Sequence, residues 1–153
     1  MKAIVLRAML SLSDGPIPEA DAIAAAIVGR AAAEGLDPLL LVSLAHHESR
    51  FQVGKVNAKT KCVGLFQTSP FWVRRVRFVW PASGPRPSQA YLEVATGARV
   101  LSLFAARYLK GRTWADVIAA WNQRYTKDPK ASAWSRKVCA TWAKLQREAK
   151  GQT

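Results

Sequence analysis

The chain has 153 residues, half of them apolar, and its 23 Lys and Arg against 10 Asp and Glu give a formal net charge of +13. That length fits one domain and buries a core without staples, while no apolar run is long enough to cross a bilayer. The basic excess favours polyanionic partners, yet no helix-turn-helix, zinc-ligand pattern or aromatic RNA-binding motif accompanies it, so specific nucleic-acid binding is not expected.

Residues 2 to 12 read as a short helix, interrupted by Ser13-Asp14-Gly15-Pro16, and Pro16-Ile17-Pro18 as an extended turn. The alanine-rich run Ala20 to Glu34 has high helix propensity, carries Ile23, Ala26, Ile27 and Arg30 on one stripe, and is stopped by Gly35. Both segments are expected as scaffold, although Lys2 and Arg7 leave open a membrane-surface role for the first.

Asp37-Pro38 is a strong helix start, the aspartate as N-cap and the proline at the first helical position. The helix runs from Leu39 to about Arg50, with Leu41, Leu44, Ala45 and Glu48 sharing a face. Glu48 therefore sits at the edge of apolar surroundings. Desolvation disfavours a charged carboxyl group, so Glu48 should keep its proton to higher pH than a surface glutamate, as a general acid must. The alternative is a glutamate turned to solvent. His46-His47-Glu48 does not make a zinc helix, because His-Glu-x-x-His would need histidine at position 51, which is Phe51. No metal is expected.

Residues 52 to 63 form a polar loop or small β-excursion, and Gly64 lets the backbone approach Glu48 or a ligand closely. Ser69-Pro70 starts a helix through about Val79 with Arg74, Arg75 and Arg77. Pro81, Gly84, Pro85 and Pro87 make a loop, and Ser88 caps a helix over roughly 89 to 109, closed by Gly111. Thr113 opens a short helix through Asn122, Tyr125 to Lys130 is a polar turn around Asp128-Pro129, and the last helix spans about 131 to 148. Almost nothing has the period of a strand. Cys62 and Cys139 lack both CxxC and metal-ligand spacing; they are two free thiols, or a disulfide if the fold brings them together.

Three motifs in order, Glu48-Ser49-Arg50-Phe51, then Asn57-Ala58-Lys59-Thr60 with Gly64-Leu65-Phe66-Gln67, then Ala120-Trp121-Asn122, resemble those of the soluble lytic transglycosylase (SLT) domain, in a form similar to bacteriophage members. The resemblance covers about residues 36 to 140. It implies an α+β, predominantly α, lysozyme-like fold of the goose-type lysozyme and SLT kind. Within one domain, residues 1–35 would be helical scaffold, 36–140 the catalytic core and 141–153 the basic end of the C-terminal helix.

The resemblance also implies a peptidoglycan lytic transglycosylase that cleaves the MurNAc–GlcNAc β-1,4 bond and leaves 1,6-anhydro-MurNAc. Glu48 would act as acid and then as base, with neither metal nor organic cofactor. Ser49 would bond the glutamate or the sugar, or serve as a local cap. Thr60 and Gln67 would meet the acetamido group, and Asn122 would bind the N-acetyl sugar or cap its helix. Before Ser135-Arg136-Lys137-Val138 the family has a tyrosine that bonds the glutamate; here stands Trp134, a donor that cannot accept. Either Trp134 substitutes, or Tyr125 or Tyr108 reaches in. Lys61-Cys62 replaces the usual Gly-Ala, and Val100 a tyrosine. Of Trp72, Trp80, Trp114, Trp121, Trp134 and Trp142, most are expected in the core.

No Asp or Glu occurs between Glu48 and Glu93, whereas goose-type lysozymes place an aspartate in that loop. A single carboxylate suffices when the substrate's own N-acetyl group stabilises the anomeric centre. The rival readings are a hydrolase of the same bond and an inactive basic wall-binding module. Because Arg7 cuts the N-terminal apolar run, no signal peptide is expected. The protein would stay in the host cytoplasm until lysis, or travel in a virion, and act in the periplasm or wall. The expected partners are peptidoglycan strands and, through Arg136, Lys137, Lys144, Arg147 and Lys150, anionic wall or outer-membrane polymers. The expected state is a monomer.

Overall fold

A computed structural model describes residues 1–76, 87–123 and 129–151. Among the described residues seven helices follow one another: α1 Lys2–Leu12, α2 Ala20–Glu34, α3 Pro38–Ser49, α4 Pro70–Arg75, α5 Gln89–Tyr108, α6 Trp114–Gln123 and α7 Ala133–Ala149. The part of the expected fourth helix at Arg77 to Val79, together with Trp80, Pro81, Gly84, Pro85, and the turn residues Tyr125 and Asp128, lies outside the described residues. Among the described residues the extended pairing is limited to two bridges, Val56 with Val63 and Val63 with Thr68. The architecture is mostly helical with a small β-like excursion.

The third helix is the centre. Every residue from Leu39 to Ala45 is buried, because α1, α2 and α7 pack around it. A helix apolar on all sides is stable only when enclosed in this way. Its entry is capped as the local sequence dictates: the Asp37 carboxylate accepts from the Leu39 N–H at 2.8 Å. The second Asp37 oxygen accepts from Trp142 Nε1 at 2.8 Å and from Gln146 Nε2 at 2.6 Å. Further along, Ser43 Oγ donates to the Val138 carbonyl at 2.7 Å, and His47 Nε2 lies 2.9 Å from Thr141 Oγ1. These bonds strap α3 to α7 from end to end.

The second helix ends at Gly35 with φ 64, the left-handed cap that glycine adopts without a Cβ penalty. Glu34 in its last turn is almost buried and pairs with Arg30 at 2.6 Å and Arg99 at 3.1 Å, tying α2 to α5. On α5, Gly97 faces the Phe66 ring, which lies 2.5 Å from where a Cβ would stand. A glycine there is what lets the ring, 1 % exposed, lie flat on the helix. The seventh helix begins with a capping box between Ser132 and Ser135. It buries Val138 and Leu145 and turns Arg136, Lys137, Lys144, Arg147 and Lys150 to solvent.

Candidate active site

Glu48 stands in the last turn of α3, where enclosure by the other helices gives out and a cleft opens. The chain must turn away at once, and it does so through two consecutive left-handed residues, Arg50 with φ 54 and Phe51 with φ 61. Non-glycine side chains resist that conformation at roughly 1–2 kcal/mol each. Burial of Phe51, 1 % exposed and packed against the His46 ring, offsets it. The Ser49 hydroxyl, also 1 % exposed, donates back to the Ala45 carbonyl at 3.2 Å. Of the roles expected for Ser49, this geometry is that of the local cap and not of a sugar ligand: Ser49 and Phe51 set the helix end that presents Glu48.

The loop after α3 is wound by its own side chains. Asn57 Oδ1 accepts from the N–H groups of Lys59 and Thr60, both at 3.0 Å, and Thr60 Oγ1 accepts from the Cys62 N–H at 3.3 Å. The bridge between Val63 and Thr68 closes the tight turn Gly64 to Gln67, with N–H to carbonyl distances of 3.0 and 2.9 Å. Glu93 of α5 clamps this loop from behind. Its two oxygens accept from the Gly54 and Leu65 N–H groups at 2.9 Å each, and Gln89 adds a third donor at 3.0 Å. A Cβ at Gly64, whose φ is 76, would stand 2.5 Å from the Glu93 carboxyl carbon. Only glycine fits. The Gln67 amide nitrogen donates to the carbonyls of Lys55 at 3.1 Å and Gly64 at 3.0 Å, which leaves its carbonyl oxygen for a ligand.

Glu48, Lys55, Asn57, Thr60, Cys62, Gln67, Trp121 and Asn122 line one cleft of about 180 Å³. The fold thus brings together four of the expected residues: Glu48, Thr60, Gln67 and Asn122. Trp134 is half-buried, packs against the core from the start of α7, and is not among the cleft-lining side chains. Tyr108 is buried with its ring edge-on to Phe104, and Tyr125 lies outside the described residues. Trp121, the middle residue of the third motif, lines the cleft with Glu48, and its indole N–H acts on the carboxyl so as to favour the ionised form. Its indole is braced by Phe104 at 5.9 Å, itself against Trp72 at 5.4 Å. The clue to Trp121 was its place between Ala120 and Asn122 in the third motif.

Burial pushes the Glu48 carboxyl up from an ordinary 4.5 to about 7; donation from Trp121 and the charge of Lys55 pull in the opposite direction and are outweighed. Trp121→Phe removes the donor that favours the ionised form. Loss of activity with rising pH should then begin at higher pH than in the parent, with kcat down about tenfold from a less well oriented acid; a pH–rate profile checks both.

Beside the cleft, and sharing Cys62, Gln67 and Trp121 with it, is a second, small hollow of about 30 Å³ walled by Trp72, Val100 and Phe104. The hydroxyl of Ser69 also lines it and has no hydrogen-bond partner among the described residues. Cys62 and Cys139 are free thiols. His46 and His47 point away from Glu48, the first toward Arg50 and Asp14, the second to Thr141. Burial lowers the affinity of both rings for a proton, helped by the cation Arg50. No group of three potential metal ligands occurs among the described residues.

A helical body with one desolvated acid at the end of its central helix, facing a small looped wall, is the arrangement of a lysozyme-like protein. The profile of the Transglycosylase SLT domain matches residues 25–136, from within α2 to the first turn of α7, and the chain belongs to that family. Neither a curated protein nor a solved structure is significantly similar to it. Membership carries a lytic-transglycosylase-type function and peptidoglycan as substrate at the level of the family.

Proposed function

We propose that the chain cleaves the MurNAc–GlcNAc β-1,4 bond of peptidoglycan without water, leaving a 1,6-anhydro-MurNAc end. The observation that carries this reading is Glu48: among the described residues it is the one carboxylate lining the cleft, and it titrates near neutrality. Its proton passes to the glycosidic oxygen as the C1–O bond breaks, and the electron pair leaves with the GlcNAc hydroxyl. The N-acetyl group of the substrate stabilises the positive C1, in the place of a second protein carboxylate. The Glu48 carboxylate then takes the C6 hydroxyl proton, O6 closes on C1, and the acid form is regenerated. In this reading the Gln67 carbonyl and Asn122, both lining the cleft, hold the acetamido group, and the adjoining hollow by Val100 and Phe104 takes its methyl.

Mass analysis of a digest of purified peptidoglycan tests the reading. Muropeptide ends lighter by one water than reducing ends are expected; reducing ends alone would make the protein a hydrolase. A role in bacterial lysis or wall penetration, as in a bacteriophage, belongs to the same proposal. The exposed cations of α7 and the net charge of +13 support adhesion to anionic wall polymers.

A further inference from the structure

Among the described residues, Lys55 is the other charged side chain of the cleft. Its backbone is pinned by the second motif: the Lys55 carbonyl accepts from the Gly64 N–H at 2.8 Å and from Gln67 Nε2 at 3.1 Å. From there its partly buried side chain reaches the end of α3, with Nζ 3.4 Å from the Glu48 carbonyl oxygen. That contact is long and involves no carboxylate, and no ion pair to Lys55 occurs among the described residues. An ammonium withdrawn from water into a cleft is favourable when an anion meets it there. The loop offers none, since no Asp or Glu lies between Glu48 and Glu93, and Glu93 is engaged with the Gly54 and Leu65 N–H groups.

Glu48 feels the charge of Lys55 only when ionised, so while it holds the acid proton the counter-charge arrives with the ligand. On the proposed reading the ligand has one. The muramyl sugar carries on C3 a lactyl arm, which ends in a carboxylate on a bare strand and continues on a substituted strand into a peptide with carboxylates of its own. A chain of N-acetylglucosamine alone presents the same acetamido groups and no anion. We propose that Lys55 is a specificity-determining residue, pairing with the carboxylate of the muramyl arm so that the cleft selects muramyl glycans over neutral N-acetylglucosamine polymers. This rests on the function proposed above. The same ammonium, by its charge, favours the ionised Glu48, and a bound carboxylate would offset that and help keep the acid protonated.

The test is binding to Glu48→Gln protein, which does not turn substrate over, by titration calorimetry with three tetrasaccharides: chitotetraose, the bare GlcNAc–MurNAc repeat, and the same repeat bearing peptides. Lys55→Met should weaken a muramyl ligand about tenfold, less at high salt, leave chitotetraose unchanged, and be restored by Lys55→Arg. Weakening of the bare strand assigns the lactyl carboxylate as the partner; weakening of the peptide-bearing strand alone assigns the stem. Equal weakening of chitotetraose, or no weakening of either muramyl ligand, overturns the proposal, the first by reducing Lys55 to a cap on α3. Those results would leave the anhydro product, assayed with the parent protein, untouched. Absence of muramyl binding together with absence of that product would instead remove the proposed function itself.

Discussion

Glu48→Gln is expected to abolish turnover, by about a thousandfold or more, and at the same time to raise the thermal stability of the protein in mildly alkaline buffer. The first effect follows from losing both proton transfers, each of which general acid–base catalysis values at about a hundredfold or more. The second follows from proton linkage. With a carboxyl that titrates near 4.5 in the unfolded chain and at about 7 in the folded one, the two states hold the same proton below about pH 4. Between those values the folded protein keeps a proton that the unfolded chain has released, so rising pH favours unfolding. Above neutrality the full cost of an ionised, desolvated Glu48 is present, on the order of 2–3 kcal/mol. The neutral amide removes it. Calorimetry should show a Tm higher by about 5 °C or more near pH 8 and no difference near pH 4. An acid group that lay open to solvent would give neither the rise nor its pH dependence.

Glu93→Ala should do the reverse in stability while also damaging catalysis. Its carboxylate holds the Gly54 and Leu65 N–H groups and so fixes the loop that carries Lys55, Thr60 and Gln67. Removing it leaves two donors without their charged acceptor, a loss of about 3 kcal/mol. The expected result is a Tm lower by roughly 6 °C or more, with kcat/KM down about tenfold as the cleft wall loosens. Glu93→Gln retains one acceptor and should fall between. Because Glu93 does not line the cleft, the pH at which activity is half lost should stay at its parental value; a displacement of that pH would place Glu93 in the chemistry.

Much of the fold was legible because the signals were local. Asp37-Pro38, Gly35 and Ser88 mark helix ends by chemistry that acts within a few residues, and the helices begin and end close to them. The desolvation of Glu48 was legible too, since Leu41, Leu44 and Ala45 share its face on a helix with six apolar residues among the seven from Leu39 to Ala45. Side-chain direction was not. Trp134 and Trp121 are equivalent as donors in the sequence, and only the packing of α6 against α5 and α7 decides which indole faces the acid. For Ser49 the resemblance left a bond to the glutamate or sugar and a local cap both open; a helix turns neighbours about 100° apart, and that rotation buries the hydroxyl against the Ala45 carbonyl. Lys55 escaped notice because its significance lies in what fixes its carbonyl, a pair of bonds from Gly64 and Gln67 that no spacing rule reveals.

The strap between α3 and α7 bears on where this protein can be cut. The family profile stops at residue 136, yet Val138, Thr141, Trp142 and Gln146, which anchor the helix of the acid, all lie beyond it. A version trimmed to the profile, for fusion or for display, would keep every cleft side chain named above and lose the beam that holds Glu48 in line. The portable unit runs through the final turn of α7, whose outer row of cations and inner row of anchors travel together.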